Sequence, residues 1–181
     1  MEEREQVATT GTGELCFRLM QLEDIETIVE LEHLAFTMPW TAEAFRNELT
    51  QNHFARYMVM ELHDQIIGYG GMWTIIDEAH ITNIAVRPEY RGRKLGARLL
   101  SELMKTASYM GMRKMTLEVR VSNTVAQGLY RKFGFSPAGV RPRYYSDNNE
   151  DAMIMWADIP EEWEALSADG TGAKEVGDSN E

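Results

Sequence analysis

The alternation of apolar and polar residues divides the chain into short strands and amphipathic helices. Leu15 to Met20 reads as a first strand, and Leu22 to Phe36 shows helical spacing at Ile25, Ile28, Val29, Leu31 and Ala35. Pro39-Trp40-Thr41 interrupts that helix. Thr41 suits the N-cap of a second helix running to about Gln51, with Trp40 and Phe45 at the hydrophobic-staple positions. Strands at about Ala55–Leu62 and Ile66–Trp73 flank the turn His63-Asp64-Gln65 and form a hairpin. A fourth strand, Glu78–Val86, follows a turn at Ile76-Asp77. Its period puts His80, Thr82, Ile84 and Val86 on one face and Ile81, Asn83 and Ala85 on the other. A helix from Arg93 to about Met110 carries the stripe Leu95, Leu99, Leu103 and Ala107, widened by Leu100 and Met104, and stops at Gly111. The fifth strand, Lys114–Val121, turns Met115, Leu117, Val119 and Val121 to one side and Thr116, Glu118 and Arg120 to the other. Ser122 or Asn123 caps a helix to about Phe133, which Gly134 ends. Strands at about Phe135–Arg141 and Asp151–Ile159 flank the polar turn from Ser146 to Glu150. The order β-α-α-β-β-β-α-β-α-β-β predicts an α/β (α+β) fold: a mixed central sheet of about seven strands flanked by helices.

Composition limits what such a fold could do. At 181 residues, with no internal repeat or linker, one domain is expected over residues 15–163. The net charge of −11 is concentrated at the ends. Residues 1–14 carry four acids against one base and residues 164–181 five against one, which leaves −4 for the domain. Both ends have little to bury and read as disordered, solvating segments, the second an acidic tail. Cys16 is the only cysteine, so no intrachain disulfide forms, and it reads as a small strand hydrophobe. The four histidines lack metal-ligand spacing, so no metal is expected. No apolar run of transmembrane length and no signal-peptide pattern is present, so a cytoplasmic protein without a membrane role is expected.

One stretch reverses the sign of the chain. Arg87, Arg91, Arg93, Lys94 and Arg98 fall within twelve residues against a single acid, Glu89. They lie where an apolar strand ends in a loop that opens into a helix. A helix N-terminus offers unpaired N–H groups and a partial positive charge, so this loop suits a polyanion such as a diphosphate. The phosphate-loop pattern G-x-x-x-x-G-K-[ST] and the dinucleotide pattern G-x-G-x-x-G are both absent. A nucleic-acid site is disfavoured by the shortness of the patch and the acidity of the whole. The plain alternative is a solvated helix end with scattered arginines.

A second constellation lies on the next strand and helix. Glu118 is near a strand end in Leu117-Glu118-Val119-Arg120, where a carboxylate facing a cleft can accept a proton. Tyr130 sits one helix later and can donate one. Alone, Glu118 would be a paired surface carboxylate and Tyr130 a half-buried core aromatic. Together with the anion loop they resemble the GNAT superfamily of acetyl-CoA-dependent N-acetyltransferases, over about Leu15 to Ile159. The superfamily loop [RQ]-x-x-G-x-[GA] corresponds to Arg91-Gly92-Arg93-Lys94-Leu95-Gly96, with Lys94 in place of its first glycine. Lysine keeps its N–H, so a helical Lys94 leaves anion binding intact, whereas a requirement for φ > 0 there would be damaging. Within the superfamily the chain is similar to the ribosomal-protein-alanine N-acetyltransferases. The matching segments are Pro39-Trp40, Asp77-Glu78-Ala79, Asn83-Ile84-Ala85-Val86, Leu117-Glu118-Val119-Arg120, Ser122-Asn123, Ala138 to Tyr145 and Glu150 to Met155.

The resemblance implies a set of roles. Acetyl-CoA would be the cosubstrate. Its pantetheine arm would lie between the splayed fourth and fifth strands against the backbone of Ile84, Ala85 and Val86. Its pyrophosphate would rest on Arg91, Gly92, Arg93, Lys94, Leu95, Gly96 and Ala97, with Asn123 a further contact. Glu118 would be the general base and Tyr130 the general acid for direct attack by an amine. The implied partner is a protein N-terminus, the alanine of the eighteenth small-subunit ribosomal protein; the sequence does not give the oligomeric state, and a monomer is the favoured expectation. A lysine side chain, a small-molecule amine, or a non-catalytic acyl-CoA-binding regulator are the competing readings. Tyr144, Tyr145 and Trp40 could wall a peptide groove or serve as core and turn aromatics. Asp77 and Glu78 could attract a basic peptide, and Arg141 and Arg143 could pair with Glu150 and Asp151.

Overall fold

The computed structural model describes residues 6–7, 14–161 and 163. Eight strands form one sheet: β1 (Gln6–Val7), β2 (Leu15–Leu19), β3 (Ala55–Leu62), β4 (Gln65–Ile75), β5 (Glu78–Val86), β6 (Lys114–Arg120), β7 (Ser136–Tyr145) and β8 (Glu150–Asp158). Four α-helices flank it: α1 (Ile25–Ala35), α2 (Ala42–Thr50), α3 (Leu95–Tyr109) and α4 (Thr124–Lys132). The strand order is β1-β2-β3-β4-β5-β6-β8-β7. The strands expected fourth and fifth are β5 and β6, the parallel pair in an otherwise antiparallel sheet. The added strand is β1, paired to β2 through Gln6 and Cys16. It falls inside the stretch expected to be disordered; residues 1–5, 8–13, 162 and 164–181 lie outside the described residues.

Local signals account for the helix boundaries. The Thr41 side chain accepts a bond from Ala44 N–H, and Trp40 packs on Phe45 with ring centroids 5.4 Å apart, as an N-cap and staple require. The Asn123 side chain accepts from Ala126 N–H and caps α4. At the start of α1, Arg18 grips the buried Asp24 with two bonds of 2.7 and 2.9 Å.

Two cores form, one on each face of the sheet. Leu99, Leu100, Leu103, Met104 and Ala107 of α3 pack with Met72, Ile81, Met115 and Leu117, and Tyr130 of α4 joins them. Ile25, Ile28 and Leu31 of α1 and Phe45 of α2 cover Tyr57, Val59, Tyr69 and Ala85 on the other face. Glycines in β4 permit both approaches. A Cβ at Gly70 would come within 2.7 Å of Leu103 Cδ1, and one at Gly71 within 2.1 Å of the Tyr57 ring.

One face assignment fails, for a local reason. The β4–β5 register slips between Gly71 and Met72, whose partners are Asn83 and Ile81, leaving Thr82 as an extra residue. Such a bulge reverses the alternation beyond it. Ile84 and Val86 therefore pack in the α3 core with Ala79 and Ile81, not on the face of His80 and Thr82. Asn83 and Ala85 turn to the α1/α2 side, where the Asn83 side chain donates to the Tyr69 hydroxyl.

Candidate active site

β5 and β6 begin as a pair and then part. Their register runs Glu78↔Lys114, Ala79↔Met115, His80↔Thr116 and goes no further. β6 continues in pairing with β8, so the break belongs to the β5–β6 junction alone. Arg87 N–H donates to Ile67 O at 2.7 Å, toward β4. Backbone groups alternate sides along a strand, so Val86 and Ile84 aim theirs into the gap toward β6. A gap edged by unpaired strand N–H and C=O groups accepts an extended, amide-bearing chain as a pseudo-strand.

The basic loop lies at the end of the same strand. Gly92 has φ +79° and Lys94 φ +58°, both left-handed, with Lys94 as the N-cap of α3. The helix thus begins at Leu95, two residues later than its spacing suggests. The position where a lysine was tolerable only if helical is left-handed, a conformation that costs a non-glycine residue about 1–2 kcal/mol. Among the described residues, the N–H groups of Gly92 to Ala97 make no hydrogen bond, and Arg98 N–H is the first of the helix to do so, on Lys94 O at 3.2 Å. Arg91, Arg93 and Lys94 are exposed around them. Arg93 lies 5.2 Å from the Tyr90 ring centroid. Arg87 is instead turned inward, donating to Ile66 O at 2.9 Å. Orphan donors, a helix N-terminus and three exposed cations fit a pyrophosphate.

Glu118 projects from β6 on the face opposite Met115, Leu117 and Val119, the α1/α2 face. Its two oxygens are both engaged. His80 Nε2 lies 2.6 Å from Oε2, and Arg141 Nε donates to Oε1 at 3.2 Å. Burial pushes the carboxyl up, but the His80 hydrogen bond and the charges of His80 and Arg141 outweigh burial and hold it below its ordinary value. Arg141 is therefore the partner of Glu118 and not of Glu150. Glu150 is met by Arg120 at 3.4 Å, and Asp151 by the backbone N–H of Arg143 at 2.9 Å.

Tyr130 is buried beside Phe135, ring centroids 5.9 Å apart, in the core of the α3/α4 face. Burial pushes its hydroxyl up to about 12, so it stays protonated at neutral pH. Asn123 caps α4 with its side-chain oxygen, leaving its amide group as the available donor. No group of three or more His, Cys, Asp or Glu among the described residues is placed to hold a metal.

The loop between α1 and α2 closes over the β7–β8 turn. Thr37 Oγ1 donates to Asp147 at 2.6 Å, and Ser146 Oγ meets Met38 Sδ at 3.1 Å. Trp40 N–H is held by the buried Glu32, which also accepts from the Tyr69 hydroxyl. Beside this seam Tyr144 is exposed, while Tyr145 stacks under Arg120, 4.0 Å from ring centroid to guanidinium carbon. Asp77 and Glu78 sit elsewhere, at the end of β5 where the strands are still paired.

The sequence profile of the acetyltransferase (GNAT) family matches residues 25–135. The chain belongs to the GNAT family. It is an acetyl-CoA-dependent N-acetyltransferase, in keeping with the names of its relatives. A Bacillus subtilis (strain 168) protein named putative ribosomal protein bS18-alanine N-acetyltransferase is 49% identical over 144 residues, 80% of this chain and 95% of that one. A Haemophilus influenzae protein named ribosomal protein bS18-alanine N-acetyltransferase is 36% identical over 137 residues, 73% of this chain and 90% of that one. The crystal structure of the ribosomal-protein-S18-alanine N-acetyltransferase from Escherichia coli superposes with a TM-score of 0.75 at 30% identity, covering 84% of this chain and 99% of that one. The matched segment contains the parted β5–β6 pair and the basic loop between β5 and α3. Among the described residues no helix is long and apolar enough to cross a membrane.

His80 and Arg141, the partners of Glu118, escaped the sequence reading. Each strand's period gives a face, but nothing in it says that His80 stands opposite Thr116 and thus within reach of Glu118.

Proposed function

We propose that the chain acetylates the N-terminal α-amino group of a protein, in particular the N-terminal alanine of ribosomal protein bS18, with residues 15–163 as the acetyltransferase unit acting as a monomer in the cytoplasm. The observation that carries this reading is the parting of β5 from β6 beyond His80, with an ionised, half-buried Glu118 on one side of the gap. The relatives' names supply the substrate.

In this reading the N–H groups from Gly92 to Ala97, with Arg91, Arg93 and Lys94, hold the pyrophosphate of acetyl-CoA. Ile84 and Val86 orient the pantetheine arm through their backbone, the intervening Ala85 having its backbone groups turned to β4, and the Asn123 amide group supports the arm. The Val86 N–H faces the thioester oxygen and stabilises the charge that develops there. The amine arrives from the α1/α2 face, between the Thr37–Asp147 seam and Tyr144. Glu118, directly or through a water, takes a proton from the ammonium, and the freed nitrogen attacks without a covalent acyl-enzyme. Tyr130 supplies a proton to the departing thiolate from the other side.

The chemistry favours an N-terminus. An α-amino group has a reference pKa of about 8 against about 10.4 for lysine, so its deprotonation costs about 3 kcal/mol less. A single carboxylate with a depressed pKa is a weak base and suits the easier amine. The test is release of CoA thiol with a panel of alanine-initiated peptides, N-terminally blocked lysine peptides and polyamines. Turnover concentrated on the free N-termini supports the reading, and turnover confined to lysine peptides or polyamines overturns it.

A further inference from the structure

Arg141 reaches Glu118 from β7, the edge strand on that side of the sheet. Its Nε donates to Oε1 at 3.2 Å. A guanidinium presents its N–H groups as a rigid planar fork, and this contact uses one of them. Among the described residues neither Nη group makes a hydrogen bond, and the Arg141 side chain is 54% exposed against 9% for Glu118. Open donors therefore stand in solvent beside a nearly buried carboxylate. The ladder is irregular just beyond: Arg141 pairs with Ala152, and the next partners are Tyr145 and Glu150. Tyr144, within that irregular stretch, lies in the electrostatic reach of both Glu118 and Arg141. The three groups share the side from which the amine is proposed to arrive.

Resting on Glu118 as the carboxylate that receives the amine, we propose that Arg141 is a specificity-determining residue whose Nη groups take the carbonyl oxygen of the substrate's first residue. The guanidinium then bridges that carbonyl and Glu118. In an N-terminal residue the amine and the carbonyl share one Cα, so standard bond lengths put the oxygen about 3 Å from the nitrogen. A planar fork with one N–H on the carboxylate and a neighbouring N–H on the carbonyl spans such a pair. In a lysine side chain the carbonyl lies at the far end of a methylene chain, and a polyamine has none. With those substrates the guanidinium would face methylenes, giving up hydration with no acceptor in return.

The charge of Arg141 acts in the same direction. A fixed cation beside the bound amine disfavours the ammonium form. An α-amine escapes that repulsion by binding as the free base at little cost, and a lysine does so only at a larger one. Arginine keeps its charge throughout the working range, so the effect needs no titration of its own. An arginine that only oriented Glu118 would serve every amine alike. His80 holds the other oxygen, Oε2, at 2.6 Å, so the carboxylate keeps an anchor when Arg141 is replaced.

The test sets two substrates against the wild type and Arg141→Met, which keeps an apolar stem. One is an alanine-initiated peptide. The other is the same peptide with its first peptide bond replaced by an (E)-alkene, which keeps the shape and removes the carbonyl. The wild type is expected to favour the carbonyl by about tenfold to a hundredfold in kcat/KM, the range of one hydrogen bond to a charged donor. Arg141→Met is expected to lose most of that preference. The alkene also removes an N–H, but a guanidinium accepts nothing, so that loss cannot couple to Arg141. An equal preference in the two proteins overturns the proposal. Arg141→Ala is read in the same way should Arg141→Met fail to bind acetyl-CoA. Glu118→Gln, assayed in parallel, keeps the two readings apart. If it is impaired while the carbonyl preference survives Arg141→Met, only the role of Arg141 fails. If it is unimpaired while the preference is lost, Glu118 as the base fails and the carbonyl contact stands. If the wild type turns over lysine peptides and neither N-terminal peptide, both fail.

Discussion

Glu118 and Tyr130 lie on opposite faces of the sheet, Glu118 toward α1 and α2 and Tyr130 in the core under α3. The parted β5–β6 pair is the passage between them. In the proposed reaction the amine and the leaving thiolate would sit on different sides of the gap, each beside the group proposed to exchange its proton. Glu118→Gln is expected to lower kcat by about two to four orders of magnitude with little change in acetyl-CoA affinity, read from steady-state rates and calorimetry. Tyr130→Phe is expected to slow the chemical step in single-turnover experiments, again without loss of affinity.

The same carboxylate sets an acid dependence of stability. Its folded value lies below its unfolded one, held there by His80 and Arg141 against burial. Its contribution is therefore complete above the ordinary glutamate range and is lost as pH falls through the depressed folded value. Denaturant midpoints of the wild type and Glu118→Gln should differ at neutral pH and converge in acid. A difference that grows toward low pH would reverse the sign.

Lys94 occupies a left-handed position with φ +58°. Replacement by glycine relieves about 1 kcal/mol of backbone strain, whereas Lys94→Ala keeps it. Lys94→Gly should therefore raise the thermal midpoint and Lys94→Ala should not. Acetyl-CoA affinity should fall little in either variant, because the loop N–H groups remain with Arg91 and Arg93.

Gly71 and Gly70 predict a ranking. A Cβ at Gly71 would strike the Tyr57 ring at 2.1 Å, a rigid group anchored through its hydroxyl to Glu48 and Thr82. At Gly70 the obstacle is the methyl end of Leu103 at 2.7 Å, which can turn aside. Gly71→Ala should cost about 3 kcal/mol and Gly70→Ala less, both read by chemical denaturation.

Thr37 joins the α1–α2 loop to Asp147 across the proposed groove. Thr37→Val removes a bond worth about 1 kcal/mol. It should raise KM for the peptide about fivefold and leave KM for acetyl-CoA unchanged.

Much of this was legible before any coordinates. Thr41, Asn123 and Gly134 mark helix ends because caps and stops are local chemistry, and β6 keeps its alternation because nothing interrupts its pairing with β8. What was hidden is non-local. The bulge at Thr82 depends on how β4 meets β5, and it turns Ile84 and Val86 to the other face. The His80–Glu118–Arg141 cluster depends on three strands aligning at once. The left-handed Lys94 follows from the path the loop must take into α3, which overrides the preference of lysine for a helical start.

The central claim is transfer of acetyl to an α-amine. It is tested most directly by giving the protein acetyl-CoA and one peptide that carries both a free N-terminal alanine and an internal lysine, then locating the acetyl group by tandem mass spectrometry. The account predicts acetyl on the N-terminal nitrogen, formed by the wild type and strongly reduced with Glu118→Gln. Acetyl on the lysine ε-nitrogen alone would contradict it.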